Sequence, residues 1–238
     1  MSNNYFSFKQ FTITQHNSAM KVGTDGVLLG AWVDANHISS ILDIGAGTGL
    51  LSIMMAQKSS ANVNAIEIDR DACIDAKLNF EQSEWKDRLH LIEGDFLEYS
   101  NRTDKLFDLI VSNPPFFKNS LQSPDNKKNI ARHSYSLPHE KLLDGVAKLI
   151  TPKGRFALVL PSVLSKEFTV TARLKGLHPE KILHVYSKET DVKSVRCLIC
   201  FSLKDCKAIE NRLSIYSLIE GQYTDEYKTL TKEFYRAF

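Results

Sequence analysis

Ile41-Leu42-Asp43-Ile44-Gly45-Ala46-Gly47-Thr48-Gly49-Leu50-Leu51 is the stretch that decides the fold of this 238-residue chain. A short apolar run suited to a buried strand passes directly into three glycines at alternate positions, and a helical pattern comes next. Glycine at such a junction lets the backbone turn sharply and approach a ligand without a Cβ in the way. The spacing is D-x-G-x-G-x-G. Dinucleotide sites use G-x-G-x-x-G and place a pyrophosphate at the helix N-terminus, so NAD stays a competitor at this point.

Outward from this turn, strand and helix signals alternate. Strands are expected at Ser40–Ile44, Asn62–Ile68, Leu89–Gly94, Phe107–Ser112 and Arg155–Pro161. Helical patterns lie at Gly49–Gln57, Asp71–Glu84, briefly after Phe96, at Pro138–Ile150 and at Ser162–Lys175. Such alternation builds a parallel sheet through βαβ crossovers. Glu180–Tyr186 and Ser194–Leu203 are also strand-like, and the short stretch between them is too small for a crossover, so they should pair antiparallel. Before the core, Phe6–Phe8 and Phe11–Ile13 suggest a small hairpin or an edge strand, and Val27–Val33 a short helix. After Leu203 a further strand and a closing helix are expected.

Glu67 ends the second strand, where a carboxylate can accept from a ribose diol, as in other nucleotide-binding α/β folds. Asp69, two residues on, suits an N-cap. The glycine pattern with Glu67 resembles motif I of class I S-adenosylmethionine (AdoMet) methyltransferases. The resemblance implies an α/β, Rossmann-like, doubly wound sheet, mostly parallel and seven-stranded, with an antiparallel terminal strand. It implies AdoMet as cofactor, S-adenosyl-L-homocysteine as product, and no metal. It assigns Asp43, Gly45, Gly47, Gly49 and Glu67 to the cofactor, Asp95 to the adenine amino group, and Phe96 to packing beside it. For Asp95 the alternative is an N-cap.

The fourth strand runs into Asn113-Pro114-Pro115-Phe116-Phe117. Two prolines end a strand and stiffen the loop beyond it, because they fix φ and lack N–H donors. An exocyclic amine on a planar ring is a poor nucleophile. The Asn113 side-chain oxygen and the Pro114 carbonyl can bind its two N–H groups and orient it, and Phe116 can stack on the plane. Asn-Pro-Pro-aromatic resembles the motif of amino-methyltransferases, which makes Asn113, Pro114, Pro115 and Phe116 the catalytic candidates, with Asn113 also beside the cofactor. The alternative is a structural Pro-Pro turn.

Ala19-Met20-Lys21-Val22-Gly23-Thr24-Asp25-Gly26-Val27-Leu28-Leu29-Gly30-Ala31-Trp32, together with Phe8-Lys9-Gln10-Phe11, narrows the substrate. It resembles the bacterial tRNA1(Val) adenine-37 N6-methyltransferase family, from Phe8 to about Leu203. That resemblance implies an N-terminal extension, residues 1–39, packing over the cofactor site of a methyltransferase domain, residues 40–238. It carries Lys21, Thr24 and Asp25 into the cofactor pocket; the alternative is a helix capped by Asp25. The partner implied is a tRNA anticodon stem-loop, with no membrane and no obligate protein partner. Guanine-N2 methylation of rRNA, glutamine-N5 methylation of a protein, and an RNA-binding scaffold on a vestigial AdoMet fold remain as rivals.

Between Lys118 and Tyr135 the chain carries Lys118, Lys127, Lys128, Arg132 and His133 against one acid, Asp125. Long polar loops are usually functional or mobile. A basic one after the catalytic motif suits phosphate contacts, which position a nucleic acid without reading its sequence. The alternative is a solvated loop.

Composition bounds these expectations. Thirty Lys and Arg against 28 Asp and Glu exclude a bulk polycation and an acidic tail. The balance is uneven along the chain: residues 41–100 hold 5 basic and 11 acidic side chains, and residues 101–207 hold 19 and 10. Cys197 and Cys200 have a metal-like spacing, but they sit on a strand-like run where i and i+3 face opposite ways, so core thiols are expected. The first residues lack a basic and apolar leader pattern, and no apolar run reaches bilayer length. A cytoplasmic protein is expected.

Overall fold

The computed structural model describes residues 4–114 and 137–238. A hairpin of β1 (Tyr5–Ser7) and β2 (Thr12–Thr14) comes first, then α1 (Thr24–Trp32). The core begins with β3 (Ser40–Ile44), α2 (Leu50–Lys58), β4 (Asn62–Glu67), α3 (Arg70–Gln82) and β5 (Leu89–Glu93). It continues through α4 (Phe96–Arg102), β6 (Phe107–Ser112), α5 (His139–Leu149), β7 (Ile150–Pro161) and α6 (Ser162–Leu174). The remaining elements are β8 (His178–Lys188), β9 (Arg196–Ser202), β10 (Ile209–Tyr216) and α7 (Asp225–Thr231).

Eight strands form one sheet in the order β10-β8-β9-β7-β6-β3-β4-β5. Every neighbouring pair is parallel except those of β9, which is antiparallel to both β7 and β8. The doubly wound, mostly parallel sheet with one reversed strand is the expected one. β10 adds an eighth strand beside β8, and its stretch of Glu210, Asn211 and Arg212 suits a solvated edge.

Strand alternation sorts the apolar residues into two cores. Ile41, Leu109, Val111 and Leu198 pack on the face covered by α1, α2, α3 and α7, against Val27, Ile53, Phe80 and Tyr227. Leu42, Ile110 and Ile199 pack on the other face against α4, α5 and α6, through Phe96, Leu142, Val146 and Phe168. Cys197 and Cys200 obey the same rule and enter opposite cores, both as free thiols. Burial pushes each up to about 12, so neither is a thiolate at neutral pH.

β7 begins at Ile150 rather than Arg155. Its register against β6 shifts between Phe107 and Leu109, and regular pairing starts at Leu109 with Arg155. Pro152 and Gly154 in that irregular stretch hide the strand from a reading of alternation.

The hairpin is seated by the far end of the chain. The Lys9 backbone N–H donates to the Phe234 carbonyl at 2.8 Å, and the Lys9 Nζ donates to the Lys232 and Phe238 carbonyls at 2.5 Å each. Arg236 Nε donates back to the Phe8 carbonyl at 2.9 Å. Phe8 stacks on Phe11 and Tyr235 beneath these bonds.

Candidate active site

Strand register assembles the site. Ile44 at the end of β3 pairs with Ile66 of β4 on one side and with Ser112 of β6 on the other. The next residues along, Gly45 and Asn113, therefore emerge side by side from neighbouring strands. The Ser112 hydroxyl donates to the Ile44 carbonyl at 2.8 Å and ties the two strand ends together in a buried bond. This is the carboxyl edge of an open parallel sheet, where ligands of such folds bind.

Gly45, Gly47 and Gly49 all take positive φ, at 69°, 58° and 81°. A Cβ would strain the backbone at each, yet the three have different surroundings. A Cβ on Gly45 or Gly47 would meet nothing within 4 Å, so both face open space of the kind a ligand fills. A Cβ on Gly49 would lie 2.4 Å from the Phe80 ring, so this glycine admits α3 against the turn rather than facing a ligand.

Glu67 braces the turn from beneath. Its Oε2 accepts from the Gly47 N–H at 2.7 Å, and its Oε1 accepts from the N–H groups of Ile68 and Asp69 at 2.8 and 2.9 Å. A carboxylate offers about four acceptor positions, so a ribose hydroxyl can still add to it. Asp43 lies fully buried below the glycines. Its Oδ2 accepts from the Ser52 hydroxyl at 2.7 Å, while Oδ1 has no hydrogen-bond partner among the described residues. Burial pushes the Asp43 carboxyl up to about 7, and the negative Glu67 adds to that shift. Glu67 keeps acceptor capacity beside two glycines whose Cβ positions are open, which suits a ligand that brings hydrogen-bond donors. AdoMet fits this cradle: Gly45 and Gly47 leave room, and Glu67 offers an acceptor, while Asp43 lies buried beneath the turn.

Asp69 caps α3 by accepting from the Asp71 N–H at 2.9 Å, as expected. Asp95 caps α4, accepting from the Leu97 and Glu98 N–H groups at 2.7 and 3.0 Å. Both bonds fall on Oδ1, so capping and acceptance from an adenine amino group are compatible. Phe96 is buried in the α4–α6 core, where its ring passes through the space a Cβ on Gly145 would need.

The N-terminal candidates lie along one path. Lys21 Nζ donates to the Gln15 carbonyl, and Gln15 Oε1 accepts from the Val22 N–H at 2.7 Å. Thr24 opens α1, whose N-cap is Gly23, with no side-chain bond to it. Asp25 is therefore not the cap. It sits in the first turn and binds Arg196 Nε of β9 at 2.7 Å. Gly26 turns its bare Cα toward Asn113, whose side-chain nitrogen would lie 3.6 Å from a Cβ there. Asn113 is half-buried and Pro114 buried. Pro115, Phe116, Lys118, Lys127, Lys128, Arg132 and His133 fall outside the described residues.

Three contributors escaped the sequence reading. Arg196 gives no local signal, because its partner is 171 residues away. Asp75 and Asn79 do give one. They are polar side chains inside the apolar stripe of α3, among Ala72, Cys73, Ala76 and Phe80, and both are almost wholly buried. A polar residue on the core face of a helix must have partners. Among the described residues no cluster of His, Cys, Asp and Glu could hold a metal ion, and no helix is long and apolar enough to cross a membrane.

Comparison with known proteins agrees with this geometry. The methyltransferase small domain model matches residues 17–178. A protein of Bacteroides fragilis named tRNA1(Val) (adenine(37)-N6)-methyltransferase is 45% identical over 238 residues, covering 99% of each chain. One of the same name from Aliivibrio fischeri is 45% identical and covers 97% of each. Among solved structures, a predicted O-methyltransferase from Agrobacterium tumefaciens aligns with TM-score 0.66 at 17% identity, covering 88% of this chain and 96% of that one. The glycopeptide N-methyltransferase MtfA in complex with S-adenosylmethionine aligns at 0.55 and 14% identity, covering 79% and 91%. These two share the fold. With its glycine turn, its Asn-Pro-Pro strand end and full-length relatives at this identity, the chain belongs to the methyltransferase small domain family and, within it, to the tRNA1(Val) (adenine(37)-N6)-methyltransferase family.

Proposed function

We propose that the protein methylates the exocyclic N6 of an adenine in tRNA, adenine 37 of the tRNA1(Val) anticodon loop, with AdoMet as donor. The observation that carries this is the register of β3 against β6, which sets Asn113 directly beside Gly45. Full-length relatives named for that reaction supply the substrate.

When bound, AdoMet supplies a methyl group on a sulfonium, which needs no further activation. Gly45 and Gly47 give its methionine portion room, Glu67 accepts from the ribose diol, and Asp95 accepts from the adenine amino group. Lys21, Thr24 and Asp25 wall the methionine end. The Asn113 side-chain oxygen and the Pro114 carbonyl would accept the two N–H groups of the target amine and orient it; the nitrogen would take the methyl group as S-adenosyl-L-homocysteine leaves, and its extra proton would pass to solvent. Positioning of this kind can supply much of a rate enhancement. Phe116 stacks on the base, which is worth about 1–3 kcal/mol in single-strand complexes. An adenine in a stacked loop must first be flipped out. Lys118, Lys127, Lys128, Arg132 and His133 contact phosphates around it. The enzyme works in the cytoplasm, where tRNA is processed.

The test is an assay with methyl-labelled AdoMet, offering tRNA1(Val) transcript, rRNA and a release factor in parallel. Label in N6-methyladenosine of the tRNA is expected. Label only in guanine of rRNA, or only in the release factor, identifies a different substrate. No label, with no AdoMet binding, leaves a scaffold. Mass spectrometry of tRNA from a strain lacking the gene should show the same nucleoside missing.

A further inference from the structure

Asn79 is 1% exposed, and both polar atoms of its amide are hydrogen-bonded. Its Oδ1 accepts from the Thr14 N–H at 2.8 Å, and its Nδ2 donates to the Thr14 carbonyl at 2.8 Å and to the Thr48 carbonyl at 2.9 Å. The first two bonds imitate a strand pair with β2. The third holds the glycine turn between Gly47 and Gly49. One helical turn earlier Asp75, also 1% exposed, accepts from the Asn17 N–H, the Asn17 side-chain amide and the Ser18 N–H at 2.8–2.9 Å. One face of α3 thus grips residues 14–18 at two points while it grips the turn at a third.

From there the grip passes along the chain. Gln15 Oε1 holds Val22, Lys21 holds the Gln15 carbonyl, and Ser18 Oγ donates to the Met20 carbonyl at 2.9 Å. α1 begins two residues after Val22 and brings Gly26 to Asn113. Asp75 and Asn79 fix the first half of this path to α3 through side-chain hydrogen bonds, which a free peptide would lack.

We propose that Asn79, assisted by Asp75, is a positioning residue that locks the N-terminal segment to the glycine turn, so that two walls of the cofactor pocket form one unit. This rests on the methyltransferase reading of the site. Neither side chain is required to touch the cofactor. Their role is to keep the pocket in its binding-competent form, and apparent affinity falls in proportion to the competent fraction. Loss of the lock should therefore weaken AdoMet binding and leave turnover at saturation alone.

The experiment compares wild type with Asn79→Ala and the milder Asp75→Asn, which keeps one oxygen for the segment. AdoMet binding is measured by calorimetry, turnover at saturating AdoMet by methyl transfer, and the amides of residues 14–22 by hydrogen exchange. For Asn79→Ala, faster exchange in that segment is expected with AdoMet affinity at least about ten-fold weaker and kcat within about two-fold. Asp75→Asn should move exchange and affinity the same way by less, and it decides the matter if Asn79→Ala does not fold. Faster exchange with unchanged AdoMet affinity would make the contacts merely structural and overturn the proposal, as would unchanged exchange. Failure of wild type to bind AdoMet would instead sink the methyltransferase reading itself.

Discussion

Gly26 of α1 and Asn113 at the end of β6 touch where a side chain would otherwise stand: a Cβ on Gly26 would lie 3.6 Å from Asn113 Nδ2 and 3.2 Å from Leu50 Cδ2. The N-terminal helix thus stands beside Asn113, the residue proposed to bind the target amine. Gly26→Ala asks Leu50 to yield by a few tenths of an ångström. Gly26→Val adds two methyl groups beside Asn113, and a small misplacement of a reacting group costs about 10²-fold. Gly26→Val should lower kcat by that order, with AdoMet affinity little changed and Gly26→Ala in between. Equal kcat for all three proteins would show that the contact does not set Asn113.

Asn113→Ala removes the side-chain acceptor itself. Transfer should fall by at least about 10²-fold, the usual cost of deleting one positioned polar group. AdoMet binding should stay within a few-fold, because Glu67 and the glycine turn are untouched. Calorimetry separates the two effects. A matching collapse in AdoMet affinity would make Asn113 chiefly a cofactor ligand.

Asp43 predicts a pH dependence. Its carboxyl rises from an ordinary 3.8 to about 7, first because burial disfavours the charge and then because Glu67 repels it. The folded protein keeps this proton where the unfolded chain has lost it. The stabilisation is complete below the unfolded value and is lost as pH rises through about 7. Asp43→Asn is neutral throughout and escapes that loss. Its stability relative to wild type should therefore climb between pH 4 and 8, by at most ~4 kcal/mol for a shift of about three units. Urea unfolding across that range checks it, and parallel profiles would refute it.

Replacing Lys127, Lys128 and Arg132 with alanine should weaken tRNA binding and flatten its dependence on salt. Each lost phosphate contact removes roughly 0.7–0.9 from the slope of log affinity against log salt. AdoMet affinity should not move. A slope equal to wild type would place the RNA contacts on other residues.

The sheet was legible because each β-strand and each helix carries its own periodicity, and a reversed strand results from a joining segment too short to cross over. The start of β7 was not legible, since Pro152 and Gly154 argue locally for a loop while pairing with β6 overrides them. In the site, the motif spacing pointed Gly45, Gly47, Glu67 and Asn113 to one edge of the sheet, and strand register brings them there. Asp95 could not be settled, because a cap and a ligand ask for the same carboxylate at the same place, and the structure uses it as a cap. Gly49 fits the motif for a reason the motif does not state, the passage of Phe80. Asp25 looked like a cap from its position near a helix start, and only the fold brings Arg196 to it.

The bonds from Lys9 to Lys232, Phe234 and Phe238 set an order of assembly. During synthesis the hairpin emerges first and finds none of these partners, because they are made more than two hundred residues later. The parallel sheet, α2 and α3 can gather behind it as the ribosome proceeds. Lys9 and the Phe8 carbonyl gain these bonds only when residues 232–238 arrive. Without residues 232–238 the carbonyls that receive Lys9 are gone while the grip of α3 on residues 14–18 remains, so the tip of the hairpin loosens before the segment that reaches the glycine turn does.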